Sequence, residues 1–252
     1  MIMTTKEIPP SPLRVLHCDA DILALDKPAG LAVHPGPRTP HSLEALLPDL
    51  AHHLGQRRLP VILHRLDRDT SGCLLLARHK GAVRRLAQLF EARQVQKTYW
   101  AILETLPATD SGIIDAPLAK ISSAEAGWRM VVDPRGKTAI THWQIMDREA
   151  RLIAFRPLTG RTHQLRVHAN CLGTAIVGDP VYGQADPGGA TMRLHARQLR
   201  LPLPDGTPLE ITAPLPQDWP DLLCATSCRD MKPRSAGNGA GTAEDRGTPD
   251  GA

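Results

Sequence analysis

The sequence predicts an α+β fold in which strands outnumber helices. Short apolar runs separated by turn residues predict hairpins at residues 15–25 and 194–212 and an antiparallel meander at residues 128–155. Helical periodicity is clearest at residues 80–93, and a shorter helix is predicted at residues 42–47. A chain that is mostly strands with a few separate helices belongs to the α+β class.

The first hairpin pairs residues 15–17 with residues 22–25 around a turn at Asp19. Pro and Gly preclude regular structure just after Lys27, and Ser42 is a good N-cap for the first helix. The helix at residues 80–93 is amphipathic, and a strand is expected after it at residues 95–103.

In the meander, residues 128–132 and 138–143 are predicted to pair around the turn at residues 133–136, with residues 152–155 as a third strand. The last hairpin joins residues 194–203 to residues 209–212 through Pro204, Asp205 and Gly206.

Composition and charge allow several classes of protein. The 252 residues, 42% of them apolar, are enough for one large domain or two small ones. The formal net charge of +4 means that an RNA partner would be bound by clustered positive charge, while a mildly basic enzyme without a polyanionic partner stays open. Five cysteines without a C-x-x-C pair argue against a disulfide framework and for a reducing compartment. With no apolar run of about 20 residues and no signal-peptide pattern, we expect a cytoplasmic protein without a membrane span.

The domain organisation follows from local composition. Residues 1–12 contain Pro9, Pro10 and Pro12 and are expected to be an unstructured lead-in. Residues 13–225 are expected to form one folded domain. Residues 226–252 contain no Leu, Ile, Val or aromatic residue, so we expect a disordered tail.

The stretch of the sequence that is most informative about function is a charged turn at residues 64–72. It lies between two apolar runs, residues 61–63 and 73–77, which predict two buried strands. Within it Asp67 has Arg65 and Arg68 on either side, and these cations would keep its carboxylate ionised and able to act as a nucleophile. The alternative from turn chemistry alone is that Asp67 and Asp69 only bind backbone amides.

A second group of polar residues lies between Gly160 and Gly173. Thr162 is a fair N-cap for a short helix that ends at Gly173 and presents His163, Arg166 and Asn170 as one polar row. A buried guanidinium needs an anion, and Asp67 is the obvious partner for Arg166, although a neighbour on the helix would also serve. The spacing of five between His163 and His168 puts them on different faces, so no metal site is predicted.

Four motifs resemble those of the RluA-type RNA pseudouridine synthases, and they occur in the order of that family. They are His64-Arg65-Leu66-Asp67-Arg68-Asp69-Thr70-Ser71-Gly72, Lys27-Pro28-Ala29-Gly30-Leu31, Lys97-Thr98-Tyr99-Trp100-Ala101 and Gly160-Arg161-Thr162-His163-Gln164-Leu165-Arg166-Val167-His168. The resemblance covers residues 13 to 219 and implies a mixed, mainly antiparallel central sheet, flanked by a few helices and crossed by the active-site cleft.

The resemblance also implies the roles of individual residues. Asp67 would be the catalytic carboxylate, Arg166 its partner, and Tyr99 would stack on the uracil. Arg65 would fill the gap left by a flipped nucleotide. The remaining residues expected to bind RNA are Arg68, Lys97, Arg161 and His163.

The substrate implied is a stem-loop of ribosomal or transfer RNA, bound by a monomer. Neither a metal nor a nucleotide or other cofactor is expected. Many relatives begin with a small S4-type RNA-binding domain, for which there is no room before Lys27, so RNA recognition would fall to the catalytic domain.

Two other functions are compatible with parts of the sequence. A retaining glycosidase would also attack C1′ with a carboxylate, but it needs a second carboxylic acid about 5 Å away. Asp69 is the only nearby candidate and would point elsewhere. An RNA-binding protein that folds ribosomal or transfer RNA without essential catalysis is the second alternative.

Overall fold

A computed structural model describes residues 13–36, 41–123, 127–184 and 191–219. The expected lead-in and tail therefore lie outside the described residues, as do residues 220–225 of the expected domain. The described elements, in chain order, are β1 Arg14–Cys18, β2 Ile22–Lys27, α1 Leu43–His53, β3 Val61–Ile62, β4 Ser71–Ala77, α2 Lys80–Glu91, β5 Gln96–Ile102, β6 Ser111–Asp115, β7 Leu118–Ser123, β8 Gly127–Val132, β9 Ile140–Asp147, β10 Leu152–Pro157, α3 Gln164–Cys171, β11 Leu194–Pro202 and β12 Pro208–Thr212.

The strands form one large sheet and one small ribbon. The large sheet has the order β1-β2-β4-β11-β5-β10-β9-β6, with β12 added on β11 and β3 on β4. The strands β4 and β11 pair in parallel, and the other paired strands of this sheet are antiparallel. The ribbon consists of β7 and β8 alone. The predicted α+β class with a mixed, mainly antiparallel sheet is confirmed.

The strands β2 and β4 are buried on both faces, because one helix covers each face of this part of the sheet. On one face Leu75 packs with Leu86 of α2, and on the other Leu74 packs with Leu47 of α1. Strands covered on both sides have continuous apolar sequences, as residues 73–77 do. The prediction of a buried strand there is confirmed. At residues 61–63 it is wrong in part, since β3 has two residues and Val61 is exposed.

Both predicted hairpins and the first two predicted helices are present. The strands β1 and β2 pair around Asp19, and β11 pairs with β12. Ser42 caps α1 by accepting a hydrogen bond from the Ala45 amide, and α2 begins after His79, whose ring accepts one from the Ala82 amide. An N-cap acceptor satisfies one of the free amides in the first helical turn.

The predicted meander is wrong at its first strand. The turn at residues 133–136 forms, with the Gly136 amide donating to the Asp133 carbonyl at 2.8 Å. However, β8 pairs with β7, while β9 pairs with β10 and β6. After the turn the chain crosses to Leu118, and Lys137 exchanges two backbone hydrogen bonds with it. A side chain at Gly136 would meet the Leu118 carbonyl carbon at 2.4 Å, so this crossing requires glycine.

Gly72 allows the parallel contact between β4 and β11. It has a φ of +104°, and a Cβ there would lie 2.3 Å from the carbonyl oxygen of Ala196. Only glycine allows the two backbones to approach this closely without strain. The end of the turn at residues 64–72 is thereby joined to β11, which lies more than a hundred residues later in the chain.

None of the helices among the described residues is both long and apolar enough to span a membrane.

Candidate active site

The turn that carries Asp67 is fixed by a buried lysine. Lys27 is fully buried, and its ammonium group donates hydrogen bonds to the carbonyls of Pro28 and Leu31 at 2.8 Å and of Arg68 at 2.9 Å. Burial lowers the pKa of Lys27 to about 8, although Asp69 and Asp67 act against that shift. Lys27 therefore ties the residue after Asp67 to the end of β2.

Two histidines attach the same turn to the sheet. The Nε2 atom of His64 accepts a hydrogen bond from the Leu75 amide at 2.8 Å, and burial together with the cation of Lys97 lowers its pKa to about 3. His64 is therefore a neutral acceptor. At the other end of the turn, Ser71 shares a 2.9 Å hydrogen bond with the buried ring of His195 on β11.

Arg166 lies next to Asp67. The Nη1 atom of Arg166 is 3.7 Å from Oδ2 of Asp67, the side chain of Arg166 is only 3% exposed, and that of Asp67 is 19% exposed. Asp67 thus has one side towards a buried cation and another towards solvent. The ion pair expected from the sequence is present.

Arg166 has a closer partner that the sequence did not indicate. Asp179 accepts hydrogen bonds from Nε and Nη2 of Arg166 at 2.7 and 2.6 Å, and from the amides of Val181 and Tyr182. The Asp179 side chain is fully buried. Burial alone would raise the pKa of Asp179, but the hydrogen bonds and charge of Arg166 outweigh it and hold that pKa below its usual value. Burial likewise acts to lower the pKa of Arg166, and Asp179 reverses the shift and raises it.

Planar two-point contacts of this kind fix the orientation of a guanidinium group. Because Asp179 occupies Nε and Nη2, the Nη1 group of Arg166 is the one directed to Asp67. The only sequence signal for Asp179 was a short acidic residue between Gly178 and Pro180, which indicates a turn and not a partner for a helix thirteen residues earlier.

Tyr99 lies on β5 and is partly buried. It packs against two core clusters, one that includes Ala196 and one that includes Leu194, so Tyr99 also has a structural role. It is also close to the site: burial raises the pKa of Tyr99, and the negative charge of Asp67 raises it further. The phenol is therefore protonated at neutral pH.

His163 precedes α3 in a left-handed conformation, with φ of +53° and no capping hydrogen bond from its side chain. The prediction of Thr162 as the N-cap is therefore wrong. The Nδ1 atom of His163 shares a 2.9 Å hydrogen bond with the hydroxyl of Tyr182, and its ring lies against Trp128. A non-glycine residue in this conformation is strained and must be held by its surroundings.

The polar row predicted on α3 converges on Tyr182. The guanidinium of Arg166 lies 5.1 Å from the centre of the Tyr182 ring, and the Asn170 amide donates to the Tyr182 carbonyl at 3.4 Å. Burial lowers the pKa of His163, the charges of Arg166 and Arg65 lower it further, and Asp67 opposes them. Tyr182 was not singled out in the sequence.

The other basic residues expected to bind RNA differ in how exposed they are to solvent. Arg65 and Arg68 are exposed, and Arg68 donates to Asp69 at 3.0 Å. Burial lowers the pKa of Lys97, whose amine lies beside Gly160. Arg161 donates from Nε to the Thr138 carbonyl at 3.0 Å. Lys97 and Arg161 are thus at the loop before α3, while Arg65 and Arg68 are on the Asp67 turn.

Within the ranges that the structure describes, no group of three or more His, Cys, Asp and Glu side chains is arranged to hold a metal ion. His168 shares hydrogen bonds with Thr141 and the Ala116 carbonyl and so lies in surroundings separate from those of His163.

Comparison with known proteins identifies the family to which this chain belongs. A family model described as RNA pseudouridylate synthase matches residues 21–170, which include the Asp67 turn, Tyr99 and Arg166. An uncharacterized RNA pseudouridine synthase of Zymomonas mobilis is 52% identical over 213 residues, covering 83% of this chain and 96% of that protein. Ribosomal large subunit pseudouridine synthase D of Nitrosomonas europaea is 38% identical over 228 residues, covering 85% of this chain and 65% of that protein.

Among solved structures, human RNA pseudouridylate synthase domain containing 4 aligns with a TM-score of 0.68 at 29% identity, covering 81% of this chain and 88% of that one. The chain belongs to the RNA pseudouridine synthase family. It is an isomerase that forms pseudouridine in RNA.

Proposed function

We propose that Asp67 is the catalytic carboxylate of this enzyme, that Arg166 positions it, and that Tyr99 contacts the uracil. The observation that carries this assignment is the 3.7 Å pair between Arg166 and Asp67, in which the arginine is buried and the carboxylate is partly open to solvent. A carboxylate that is both held and accessible is able to meet the sugar of a bound nucleotide.

The reaction breaks the bond from ribose C1′ to N1 of uracil and joins C1′ to C5 of the same base. The C5 proton leaves and N1 gains a proton, so atoms and electrons balance without an oxidant, a reductant or water. Asp67 either attacks C1′ or removes a ribose proton; both routes use the same carboxylate. Tyr99 offers an aromatic face for the base and, as a protonated phenol, an exchangeable hydrogen for the proton transfer.

The basic residues around Asp67 are proposed to bind the RNA. Taking the target base out of its stack requires a few kcal/mol, and we propose that Arg65, which is exposed, occupies the vacancy. Arg68, Lys97 and Arg161 are proposed to contact phosphates. For His163, the hydrogen bond to Tyr182 and the contact with Trp128 favour a role in supporting its neighbours as well as in binding.

The substrate we propose is large-subunit ribosomal RNA, because relatives at 38% and 37% identity carry that activity in their names. We further propose that the enzyme acts as a cytoplasmic monomer and needs no cofactor. Unpaired bases in loops are the usual targets of sequence-specific RNA recognition, so the modified uridine is expected in a loop or bulge.

A glycosidase would need a protonated carboxylic acid beside Asp67. Asp69 receives a hydrogen bond from Arg68. Asp179, on the far side of Arg166, has a lowered pKa and uses both oxygens as acceptors. These contacts favour the isomerase over glycoside hydrolysis.

The test compares Asp67→Asn with the control Asp110→Asn, which changes an exposed carboxylate on the surface. Each protein is incubated with unmodified large-subunit ribosomal RNA, and pseudouridine is mapped by mass spectrometry. We expect no product with Asp67→Asn, normal product with the control, and equal RNA binding by both. Pseudouridine formed by Asp67→Asn would overturn the assignment. If neither the wild-type protein nor the two variants make pseudouridine, and all three bind the RNA tightly, an RNA-folding role is favoured.

A further inference from the structure

Trp128 is an exposed aromatic residue beside the candidate site. Trp128 is 45% exposed, whereas Trp100, Trp143 and Trp219 are 2%, 6% and 7% exposed. Trp is enriched at binding interfaces, because its ring buries a large apolar area when a partner covers it. The position of Trp128 indicates what that partner is.

Trp128 is carried by the ribbon β7–β8, which pairs with no strand of the large sheet in the described part of the chain. Its register sets Ser122 opposite Trp128 and Lys120 opposite Met130, so that Lys120, Met130 and Trp128 share one face. Met130 packs on this face against the cluster of Leu118, Ala139 and Val167. The face with Trp128 is thus the one turned to α3.

A short series of contacts links Trp128 to Asp67. The ring of Trp128 lies 5.0 Å from that of His163, centre to centre, with 30° between the planes. The hydroxyl of Tyr182 shares hydrogen bonds with both His163 and the Met130 amide, and the Tyr182 ring lies under the guanidinium of Arg166. The ribbon is therefore fixed to the same residues that hold Arg166.

A cation lies against the ring of Trp128. The ammonium of Lys120 lies 5.1 Å from the centre of the Trp128 ring. Within the described ranges of the ribbon, 118–123 and 127–132, the only charged residues are Lys120 and Arg129, and Arg129 lies on the opposite face with Ile121. Proteins that bind single-stranded nucleic acid use exposed aromatic rings with cations nearby, because bases stack on the ring and phosphates pair with the cations.

We propose that Trp128 is a stacking platform for an unpaired base of the RNA, next to but separate from the pocket that receives the target uridine. Lys120 leaves the ring when the base arrives and pairs with an adjacent phosphate. His163 supports the other side of the indole. The proposal rests on the assignment of Asp67 as the catalytic carboxylate, since that assignment makes this surface the rim of the active site.

The single exposed tryptophan provides a direct measurement. A short oligouridylate without secondary structure is titrated into the full chain while its intrinsic fluorescence is recorded. Stacking on Trp128 should quench the emission of wild-type protein, and the Trp128→Phe variant should bind the same RNA with little quenching. The control Ile121→Ala removes an exposed apolar side chain from the opposite face of the ribbon and should leave quenching and affinity unchanged.

Affinity and kinetics give a second, independent readout. Base stacking on an aromatic ring is worth about tenfold to a hundredfold in affinity. For Trp128→Ala we expect a loss of that size in RNA affinity and a matching rise in KM, with kcat kept at saturating RNA, while Trp128→Phe should lose less. Lys120→Gln should lower the salt dependence of binding by about 0.7 in the logarithmic slope, which corresponds to one phosphate contact.

The two proposals fail in different ways. If Trp128→Ala binds RNA within twofold of wild type and the wild-type fluorescence is not quenched, the stacking platform is wrong, whatever Asp67→Asn does. If quenching and the affinity series appear as expected but Asp67→Asn still makes pseudouridine, the platform stands as an RNA site and the catalytic assignment is wrong. A loss of folding in Trp128→Ala would show as altered circular dichroism, and Trp128→Phe then decides.

Discussion

Replacing Asp179 by asparagine tests the buried ion pair on which the site depends. Asn has the same shape but no charge, and its amide group would face a donor of Arg166 where a carboxylate oxygen now accepts. Arg166 would remain 3% exposed with Asp67 as its nearest carboxylate at 3.7 Å. We expect the guanidinium to lose its fixed orientation and to move towards Asp67.

The size of the effect follows from burial. Removing one partner of a buried ion pair destabilises a protein by about 3–5 kcal/mol, because the other charge remains out of water without compensation. Total stabilities are about 5–15 kcal/mol, so the variant should fold at low temperature with a clearly reduced margin. At a temperature where both proteins are folded, kcat should fall more than tenfold, since Asp67 is no longer held by a fixed arginine.

Urea unfolding and single-turnover pseudouridine formation measure the two effects. The control Asp110→Asn breaks the exposed pair with Arg148, for which the expected change is about 0–1 kcal/mol with normal activity. The reasoning would be refuted if Asp179→Asn unfolded within about 1 kcal/mol of wild type, or if a well-folded variant kept wild-type kcat.

Two further predictions concern the turn around Asp67. Lys27→Met removes the donor shared by three carbonyls, so the unfolding free energy should fall by about 1–3 kcal/mol and activity should fall with it; denaturant unfolding that matches wild type would contradict this. The pKa of His64 is about 3, below its usual 6.5, so the folded state excludes a proton that the unfolded state binds, and stability is lost as pH falls from 6.5 towards 3. In His64→Gln this loss should be smaller by about 1 kcal/mol per pH unit, measured by urea unfolding between pH 7 and pH 5, and an unchanged slope would show that His64 is not buried as a neutral ring.

Local sequence predicted those elements whose partners are adjacent in the chain. The hairpins at Asp19 and Asp205, and the helix after Ser42, depend on turn and cap residues within a few positions. The misassigned pairing at residues 133–136 had a true turn, but the contact of Lys137 with Leu118 took the chain to another strand. A turn pattern cannot report a competing partner that lies outside it.

The residues of the candidate site were likewise predictable only where a local motif contained them. The residues of the Asp67 turn and Arg166 were found because their motifs resemble a known family, and no spacing rule relates positions 67 and 166. Asp179 and Tyr182 were missed since each acts through contacts with α3 that depend on the path of the chain after the helix. Trp128 was noticed only as a strand residue, because its exposure depends on β8 leaving the large sheet.

The position of β11 has a consequence for how the enzyme is made. This strand lies between β4 and β5, and among the described residues it is the only strand that connects the half of the sheet with Asp67 to the half with α3. During synthesis the residues of both halves of the sheet are made before the segment from Leu194. Until β11 is present, no strand pairs with both β4 and β5. Pairings between distant parts of a chain form slowly. The sheet that carries both the carboxylate of Asp67 and the guanidinium of Arg166 is therefore complete only after the segment from Leu194 has been synthesised and β11 has paired with β4 and β5.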